Sequence, residues 1–360
     1  MLKPAMITLA LGLFCVAGRS VEPVTPHASP EAVALLKYIN DLSGRGTLTG
    51  QHNFPATHDA STRAAAAAWG KTPAIYGQDF GFAAPGDKDA AAARPGIIAD
   101  IKRQYAGGAL ITLCWHAVPP TADEPVTFLP RKDPPAGRLA SVQGRLTDEQ
   151  WQELITPGSP LNRRWCEQVD VIAGYLKQLR DAHIPVLWRP YHEMNGDWFW
   201  WGGRRGARGT TALYRQLFDR LANYHRLNNL IWIWSVDRPT KPERQFVDFY
   251  PGRDYFDIAA LDVYHGDFSP AYYHDLLKLA DGKPITLAEV GPPPALEVLA
   301  QQPRWTWWML WAEMVSTKPD DLRAMRTLVS SPRSLSLEDP AYRQGITPVR
   351  AAAGLPPLAK

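Results

Sequence analysis

The chain has little cysteine for its length: Cys15, Cys114 and Cys166 are the three among 360 residues. So few cysteines exclude the disulfide-dense framework of small secreted domains. Cys15 falls in an N-terminal stretch that we expect to be removed, which leaves one pair in the mature chain. Cys114 lies within an apolar, strand-like run and is predicted to be a buried free thiol, although a disulfide with Cys166 remains open.

A strong charge of either sign is also missing, since 39 Lys and Arg residues nearly balance 36 Asp and Glu residues. A formal net charge of +3 does not indicate a nucleic-acid or anionic-membrane partner. The sequence contains no HExxH, no CxxC and no Gly-rich phosphate loop. We therefore predict no metal and no cofactor.

Long hydrophobic runs are missing after the N-terminus, so no membrane span is predicted. Near the start, Lys3 precedes an almost wholly apolar stretch, residues 5–17, that ends in small residues. This pattern is typical of a signal peptide, and the run is too short for a membrane helix. We expect residues 1–18 to be removed and the protein to be secreted or periplasmic. The bulky Phe14 before Cys15 argues against a lipoprotein anchor, which remains the alternative.

Tryptophan, by contrast, is abundant: of the fourteen in the chain, eight fall in two short segments, 188–201 and 305–311. The first segment surrounds Glu193 and its neighbour His192 with aromatic rings. Aromatic faces can cover the C–H faces of sugar rings, while a carboxylate acts on the glycosidic oxygen. A Trp-rich core strand followed by an exposed glutamate is the alternative, but the interleaved polar residues disfavour it. The segment therefore predicts a sugar-binding site.

Apolar, β-branched or aromatic runs recur along the chain with helical or loop segments between them. The eight runs are Gly46–Gly50, Pro73–Phe80, Ala109–His116, Pro185–Glu193, Leu230–Val236, Ile258–Tyr264, Pro284–Gly291 and Thr306–Ala312. Helices are predicted at Ala60–Trp69, Pro95–Tyr105, Asn162–Ala182, Thr210–His225, Pro270–Ala280 and Pro319–Val329. This alternation predicts the α/β class and a single (β/α)8 TIM barrel. A doubly wound sheet is the alternative, but its Gly-rich phosphate turn is missing.

The barrel domain is predicted over residues 30–330, and residues 331–360 are predicted to form a C-terminal strap or tail. Two long segments, 117–160 and 237–256, follow the third and fifth strands. They are predicted to be extended loops at the C-terminal face of the barrel, where barrel enzymes carry their active sites. A monomer is the expected state for this architecture.

Two glutamates fall where strands are predicted to end. Glu193 ends the fourth strand and Glu289 ends the seventh, so both should reach the same rim from opposite sides of the barrel. A pair of carboxyl groups across a scissile bond is what glycoside hydrolysis needs. Other polar residues at predicted strand ends are Asp79, His116, Asp262, Tyr264 and His265.

Five segments give a specific resemblance. They are RPYHEMNGDWFWWG from residue 189, ITLAEVG from residue 285, GQHN at 50–53, GQDF at 77–80 and DFYPGRDYFDIAALDVY at 248–264. Together they resemble glycoside hydrolase family 26 over residues 30–330. The resemblance implies a retaining (β/α)8 enzyme that acts on a polysaccharide or oligosaccharide of the mannan type, most often as an endo-β-1,4-mannanase.

The resemblance also implies roles for particular residues. Glu193 is implied as the acid/base and Glu289 as the nucleophile, which Tyr264 hydrogen-bonds. The implied substrate-binding residues are His116, His192, Trp198, Tyr264 and Trp311. The loop after the fifth strand reads WSVDRP rather than the WSP pattern usual in the family, so the contacts expected there are open.

The resemblance leaves the substrate open, because β-1,3-xylan and mixed-linkage β-glucan are alternatives on the same fold. Exo-acting cleavage is a further alternative, since the 117–160 segment is long enough to close one end of a groove. A non-catalytic carbohydrate-binding protein is the alternative from a different class. For the enzyme, aromatic walls and the charge of Glu289 are expected to raise the pKa of Glu193.

Overall fold

The computed structural model of the chain describes residues 22–84, 88–130 and 140–359. The predicted signal peptide, including Cys15, lies outside the described residues. Within the described ranges, no helix combines the length and the apolar character that a membrane crossing requires. Cys114 is a buried free thiol, as predicted, and Cys166 is also free.

The predicted barrel is confirmed. In chain order the strands are β1 (Thr47–His52), β2 (Ile75–Asp79), β3 (Phe82–Ala84), β4 (Lys88–Asp89), β5 (Leu110–Trp115), β6 (Val186–Pro190), β7 (Leu230–Asp237), β8 (Ile258–Tyr264), β9 (Ile285–Gly291), β10 (Trp305–Leu310) and β11 (Ser334–Leu335). Eight of them pair in parallel in the order β1, β2, β5, β6, β7, β8, β9, β10. Pairing of β10 with β1 closes the sheet, which rules out the doubly wound alternative. The strands β3 and β4 form a separate antiparallel pair.

Helices alternate with the barrel strands. They are α1 (Pro30–Leu42), α2 (Ala60–Trp69), α3 (Arg94–Ala106), α4 (Asp148–Leu154), α5 (Pro160–Arg180), α6 (Thr210–Phe218), α7 (Pro270–Ala280), α8 (Leu296–Gln301), α9 (Pro319–Ser330), α10 (Pro340–Gly345) and α11 (Thr347–Ala352). Proline near the first helical turn begins several of them, because its missing N–H has no partner there anyway. The predicted helix 210–225 is interrupted, since a π-helical turn, Asp219–Tyr224, follows α6.

The C-terminal segment covers the N-terminal end of the barrel. There β11 pairs with the first residues of β1, and the Tyr342 hydroxyl of α10 donates to the carbonyl of Gly108 at 2.6 Å. The rings of Tyr342 and Tyr38 of α1 lie 6.3 Å apart. The long loops lie at the opposite, C-terminal end of the barrel.

Alternation along the strands fills the barrel in layers. Every second side chain of a strand faces inward. The lower layers are apolar and buried, and include Leu48, Ile75, Leu110, Leu187, Ile233 and Trp307. The last inward positions are polar and buried, and include His52, Asp79, His116, Arg189, Ser235 and Asp262. The C-terminal end of the barrel interior therefore carries a polar layer, and the layers below it are apolar.

Candidate active site

Glu289 joins this polar layer through a β-bulge. The register of β8 and β9 shifts by one residue, from Leu261 opposite Leu287 to Asp262 opposite Glu289. A bulge of this kind re-aims the side chains that follow it, and bulges often lie beside active sites. Leu287 packs in the outer core, whereas Glu289 faces Asp262 inside the barrel. Without the extra residue, simple alternation would turn the Glu289 carboxylate away from the interior.

Two strong donors hold the Glu289 carboxylate, which is 6% exposed. The Tyr264 hydroxyl donates to Oε1 at 2.5 Å, and Arg189 Nη2 donates to Oε2 at 2.5 Å. Burial and the negative charge of Glu289 raise the pKa of Tyr264 well above its ordinary value, so this hydroxyl keeps its proton. Donation to both oxygens fixes the orientation of the carboxylate.

Arg189 is shared between two carboxylates. Its Nη1 donates to Asp262 Oδ2 at 2.8 Å, while Nη2 serves Glu289. Burial opposes the guanidinium charge, but the two carboxylates outweigh burial and raise the pKa of Arg189. The Ser235 hydroxyl donates to Asp262 Oδ1 at 3.1 Å. Arg189 therefore stays positively charged and links β6, β8 and β9 at the C-terminal end of the barrel.

The sequence had predicted that Glu193 ends the fourth strand. In the structure it lies three residues beyond the end of β6. Pro190, which lacks an N–H, ends the pairing of β6 with β5. The chain then takes positive φ angles of 46° at Tyr191 and 49° at Glu193. Such angles are uncommon outside glycine and often mark functional sites. This turn directs Glu193, which is 8% exposed, toward the polar layer.

The surroundings of Glu193 favour its protonated form. Burial is the largest cause of a pKa raised well above the ordinary glutamate value, and the charges of Glu289, Asp262 and Asp237 add to it. The Trp198 indole opposes them by donating to Glu193 Oε2 at 2.7 Å. The site therefore holds one carboxyl group that keeps its proton and one carboxylate that is held by donors.

His116 is fixed by Asp79. Its Nδ1 lies 2.7 Å from Asp79 Oδ2, and its backbone N–H donates to Asp79 Oδ1 at 3.1 Å. Burial opposes the charge of Asp79, but its contacts with His116 and the backbone of Gly81 prevail and lower the Asp79 pKa. An ionised Asp79 keeps the His116 proton on Nδ1, which leaves Nε2 as an acceptor.

His192 lies behind the site in an aromatic cluster. It is 1% exposed, and its ring centroid lies 4.5 Å from that of His116 and 5.2 Å from that of Phe199. Burial lowers the pKa of His192 well below its ordinary value, so the ring is neutral. Its backbone carbonyl accepts from the Trp201 indole at 2.9 Å. Burial on this scale makes His192 a packing and positioning group.

Trp198 is supported by residues of the loop after β6 and of the loop after β7. A Cβ at Gly196 would lie 2.4 Å from the Trp198 ring, so only glycine permits this approach. The guanidinium of Arg244 lies over the Trp198 ring, 4.9 Å from its centroid, and pairs with Asp197. The orientation of the indole N–H toward Glu193 is therefore set by packing before any ligand binds.

Trp311 follows β10 and is half-buried at the cleft. Its ring stacks on His52, with centroids 4.1 Å apart and planes 19° from parallel. The fold thus brings all of the predicted site residues to one end of the barrel.

Sequence reasoning missed four contributors. Arg189, Asp237, Arg244 and His52 had been given no role, although each lies in this end of the barrel. Arg189 had a detectable signal, because a charged residue within the apolar run VLWRP needs a buried partner. The other three depend on contacts between loops or strands that are far apart in sequence.

Comparison with known proteins gives a consistent match. The family model described as glycosyl hydrolase family 26 matches residues 24–327. A mannan endo-1,4-beta-mannosidase of Thermothelomyces thermophilus is 30% identical over 325 residues, which are 87% of this chain and 62% of that protein. A mannan endo-1,4-beta-mannosidase of Bacillus subtilis is 30% identical over 77% of this chain and 75% of its own length. The chain therefore spans less than two thirds of the length of the Thermothelomyces thermophilus protein.

Solved structures agree in fold. GH26A from Muricauda sp. MAR_2010_75 is 39% identical with a TM-score of 0.79, covering 87% of this chain and 98% of that one. A GH26-CBM35 beta-(1,4)-mannanase of Podospora anserina is 28% identical with a TM-score of 0.70, covering 88% of this chain and 68% of that one.

Proposed function

This chain belongs to glycosyl hydrolase family 26, and we propose that it is a retaining endo-β-1,4-mannanase with Glu193 as acid/base and Glu289 as nucleophile. One observation carries the proposal: a carboxylate held by Tyr264 and Arg189 lies in the same polar layer as a carboxyl group with a raised pKa. Such a difference between two carboxyl groups supports a nucleophilic role for Glu289 and an acid role for Glu193. The mannan substrate is taken from the similar proteins named above.

In the first step, Glu193 donates its proton to the glycosidic oxygen as the bond to the anomeric carbon breaks. Glu289 attacks that carbon from the opposite face and forms a glycosyl ester. The hydroxyl of Tyr264 and the guanidinium of Arg189 hold the nucleophile at the required angle before the substrate arrives.

In the second step, the ester has removed the negative charge of Glu289. The charge of Glu289, one of the causes that raised the pKa of Glu193, is then gone. The pKa of Glu193 falls, so Glu193 can be ionised in the presence of the intermediate. Glu193 takes a proton from water, the water attacks the anomeric carbon, and Glu289 leaves as a carboxylate. Two inversions give net retention of configuration.

The test is time-resolved product analysis on linear mannan, galactomannan, β-1,3-xylan and mixed-linkage glucan. A ladder of manno-oligosaccharides is expected from the mannans alone. Products from xylan or glucan alone would keep the mechanism and overturn the substrate, and release of one short product from chain ends would indicate exo action. Binding without turnover at high protein concentration would indicate a carbohydrate-binding protein.

We further propose that residues 1–18 direct export and that the mature protein is a monomer. The apolar run and its flanking residues support export. N-terminal sequencing of the exported protein should begin after the small residues that end the run. Light scattering should give the mass of one chain, and the mass of a dimer would contradict the second part.

Asp237→Asn is expected to move the alkaline limb of the kcat/KM profile to lower pH. Asp237 is 4% exposed at the end of β7, and its charge is one cause of the raised pKa of Glu193. Removing that charge lowers the pKa of Glu193, so the acid loses its proton at a lower pH. The amide keeps the backbone hydrogen bonds that Asn195 makes with residue 237. The matched control is Asp267→Asn. The Asp267 carboxylate also lies near Arg238 but is more exposed than that of Asp237, so its loss should leave the alkaline limb in place.

Trp198→Phe is expected to move the same limb in the opposite direction. The indole N–H stabilises the Glu193 carboxylate, so its loss raises the pKa of the acid and extends activity to higher pH. Loss of no more than roughly 150-fold in kcat/KM at the optimum is expected, because one hydrogen bond to a charged group contributes roughly 1.5–3 kcal/mol and each 1.4 kcal/mol is about tenfold. A limb that moved down in both variants would contradict the assignment of this limb to Glu193.

A further inference from the structure

Four buried side chains at the C-terminal end of the barrel carry atoms that bind metal ions well. The proposed hydrolysis does not use these four side chains as a group. Donor atoms of Asp79, Cys114 and His116 lie within 4.8 Å of one another. Cys114 Sγ also lies 3.7 Å from His52 Nε2. None of the four residues is more than 5% exposed.

The barrel topology explains why these residues meet. Asp79 of β2 pairs with Cys114 of β5, and His116 follows two residues later on the same inward row. His52 ends β1, opposite Gly77 of β2. Because the donors come from three strands, no short sequence motif reveals them.

His52 is the second observation that points to a ligand. Its Nδ1 is buried without a hydrogen-bond partner among the described residues, while its Nε2 lies 3.7 Å from the Cys114 thiol and the backbone of Gln78 is a further partner of the ring. A buried imidazole nitrogen without a partner is unusual.

We propose that Asp79, Cys114 and His116 form a buried inhibitory site for a soft divalent cation such as Zn²⁺ or Cd²⁺, with His52 beside Cys114 as the fourth ligand once the cation draws it in. Thiolate, imidazole and carboxylate together match the ligands that these ions select. Bonds of about 2.0–2.3 Å in a tetrahedral site place ligand atoms about 3.3–3.8 Å apart. Binding therefore requires Asp79 Oδ2 and His116 Nδ1, now 2.7 Å apart, to separate, and the wider pairs of donor atoms to close.

Binding changes the site in a defined way. The Cys114 thiol releases its proton to solvent, and the cation stabilises the thiolate that burial alone disfavours. The His116 proton moves from Nδ1 to Nε2, so that Nδ1 binds the cation in place of its contact with Asp79. Nε2 then becomes a donor where it was an acceptor. His52, which supports the Trp311 ring, is drawn toward the same ion. Substrate binding should therefore be inhibited.

The experiment titrates the full mature chain with cadmium chloride and follows both sulfur-to-cadmium charge-transfer absorption and hydrolysis. Wild-type protein should develop the absorption at one equivalent and lose activity in parallel, and EDTA should restore activity. Cys114→Ser should lose the absorption and need about tenfold or more cadmium for the same inhibition. Cys166→Ser, at the half-exposed thiol, is the matched control and should behave as wild type.

The absorption does not depend on turnover, so the site can be tested even if the proposed activity is wrong. If Cys114→Ser folds poorly, a second measurement replaces it: saturating manno-oligosaccharide should slow the appearance of the charge-transfer band in wild-type protein. Absorption that disappears in Cys166→Ser, or equal inhibition of wild type and Cys114→Ser, would overturn the proposal.

Discussion

Glu289→Ala is expected to lower kcat on linear mannan by about 10⁵-fold, because the variant has no group that can form the glycosyl ester. The acid, Glu193, remains, and so do the donors Tyr264 and Arg189. Azide should therefore enter the space that the carboxylate leaves and attack an aryl β-mannobioside directly. A single displacement inverts the anomeric carbon, so the expected product is the α-glycosyl azide. The measurement is the azide-dependent rate of aryl release, with the anomer identified by NMR.

Glu297→Ala is the matched control, since this glutamate is exposed on α8 close to the same strand in sequence. It should keep wild-type activity and show no response to azide. Near-full activity of Glu289→Ala would show that Glu289 is not the nucleophile. A β-glycosyl azide from Glu289→Ala would show that a carboxylate elsewhere still forms the covalent intermediate.

The barrel was predictable from the chain because its strands are buried on both faces. Runs such as LIWIWSV and IAALDVY are continuous apolar segments, and helices that begin at proline separate several of them. The limits of prediction lie at irregular positions. The bulge in β9 and the π-helical turn after α6 arise from tertiary packing, which no local propensity encodes. The helix α1 was not predicted, and neither were the helices α10 and α11 within residues 331–360, which were predicted only as a C-terminal strap or tail; these helices are defined by packing at the N-terminal end of the barrel.

Sequence motifs predicted the residues of the candidate site that lie within one segment. They did not predict contacts between segments that are far apart in the sequence. The motifs around Glu193 and Glu289 named the two carboxyl groups. The raised pKa of Glu193, however, depends on burial and then on the charges of Glu289, Asp262 and Asp237, which reach it from three other strands. In the same way, the buried row of His52, Asp79 and Cys114 follows from the register between β1, β2 and β5. Register is a property of the closed sheet, so the sequence motifs alone leave these contacts undetermined.

Glu193→Ala is the complementary prediction, and its result should depend on the leaving group. On mannan, the glycosidic oxygen needs a proton, so kcat should fall by roughly 10²–10⁴-fold. On a dinitrophenyl β-mannobioside, the leaving group departs without a proton, so the first step should survive. The second step lacks its base, and the glycosyl ester on Glu289 should accumulate. A burst of dinitrophenolate followed by slow turnover is therefore expected in stopped-flow measurements.

Azide distinguishes the two glutamates even if both variants are slow. In Glu193→Ala, azide needs no base and attacks the glycosyl ester on Glu289, so the second inversion gives the β-glycosyl azide. The alkaline limb of the pH profile should also disappear on the activated substrate, because the group that loses its proton there is gone. Glu297→Ala, the exposed control on α8, should keep both the limb and activity on mannan. An α-glycosyl azide from Glu193→Ala would exchange the two roles, since the azide anomer depends on which carboxylate is missing and not on the rate.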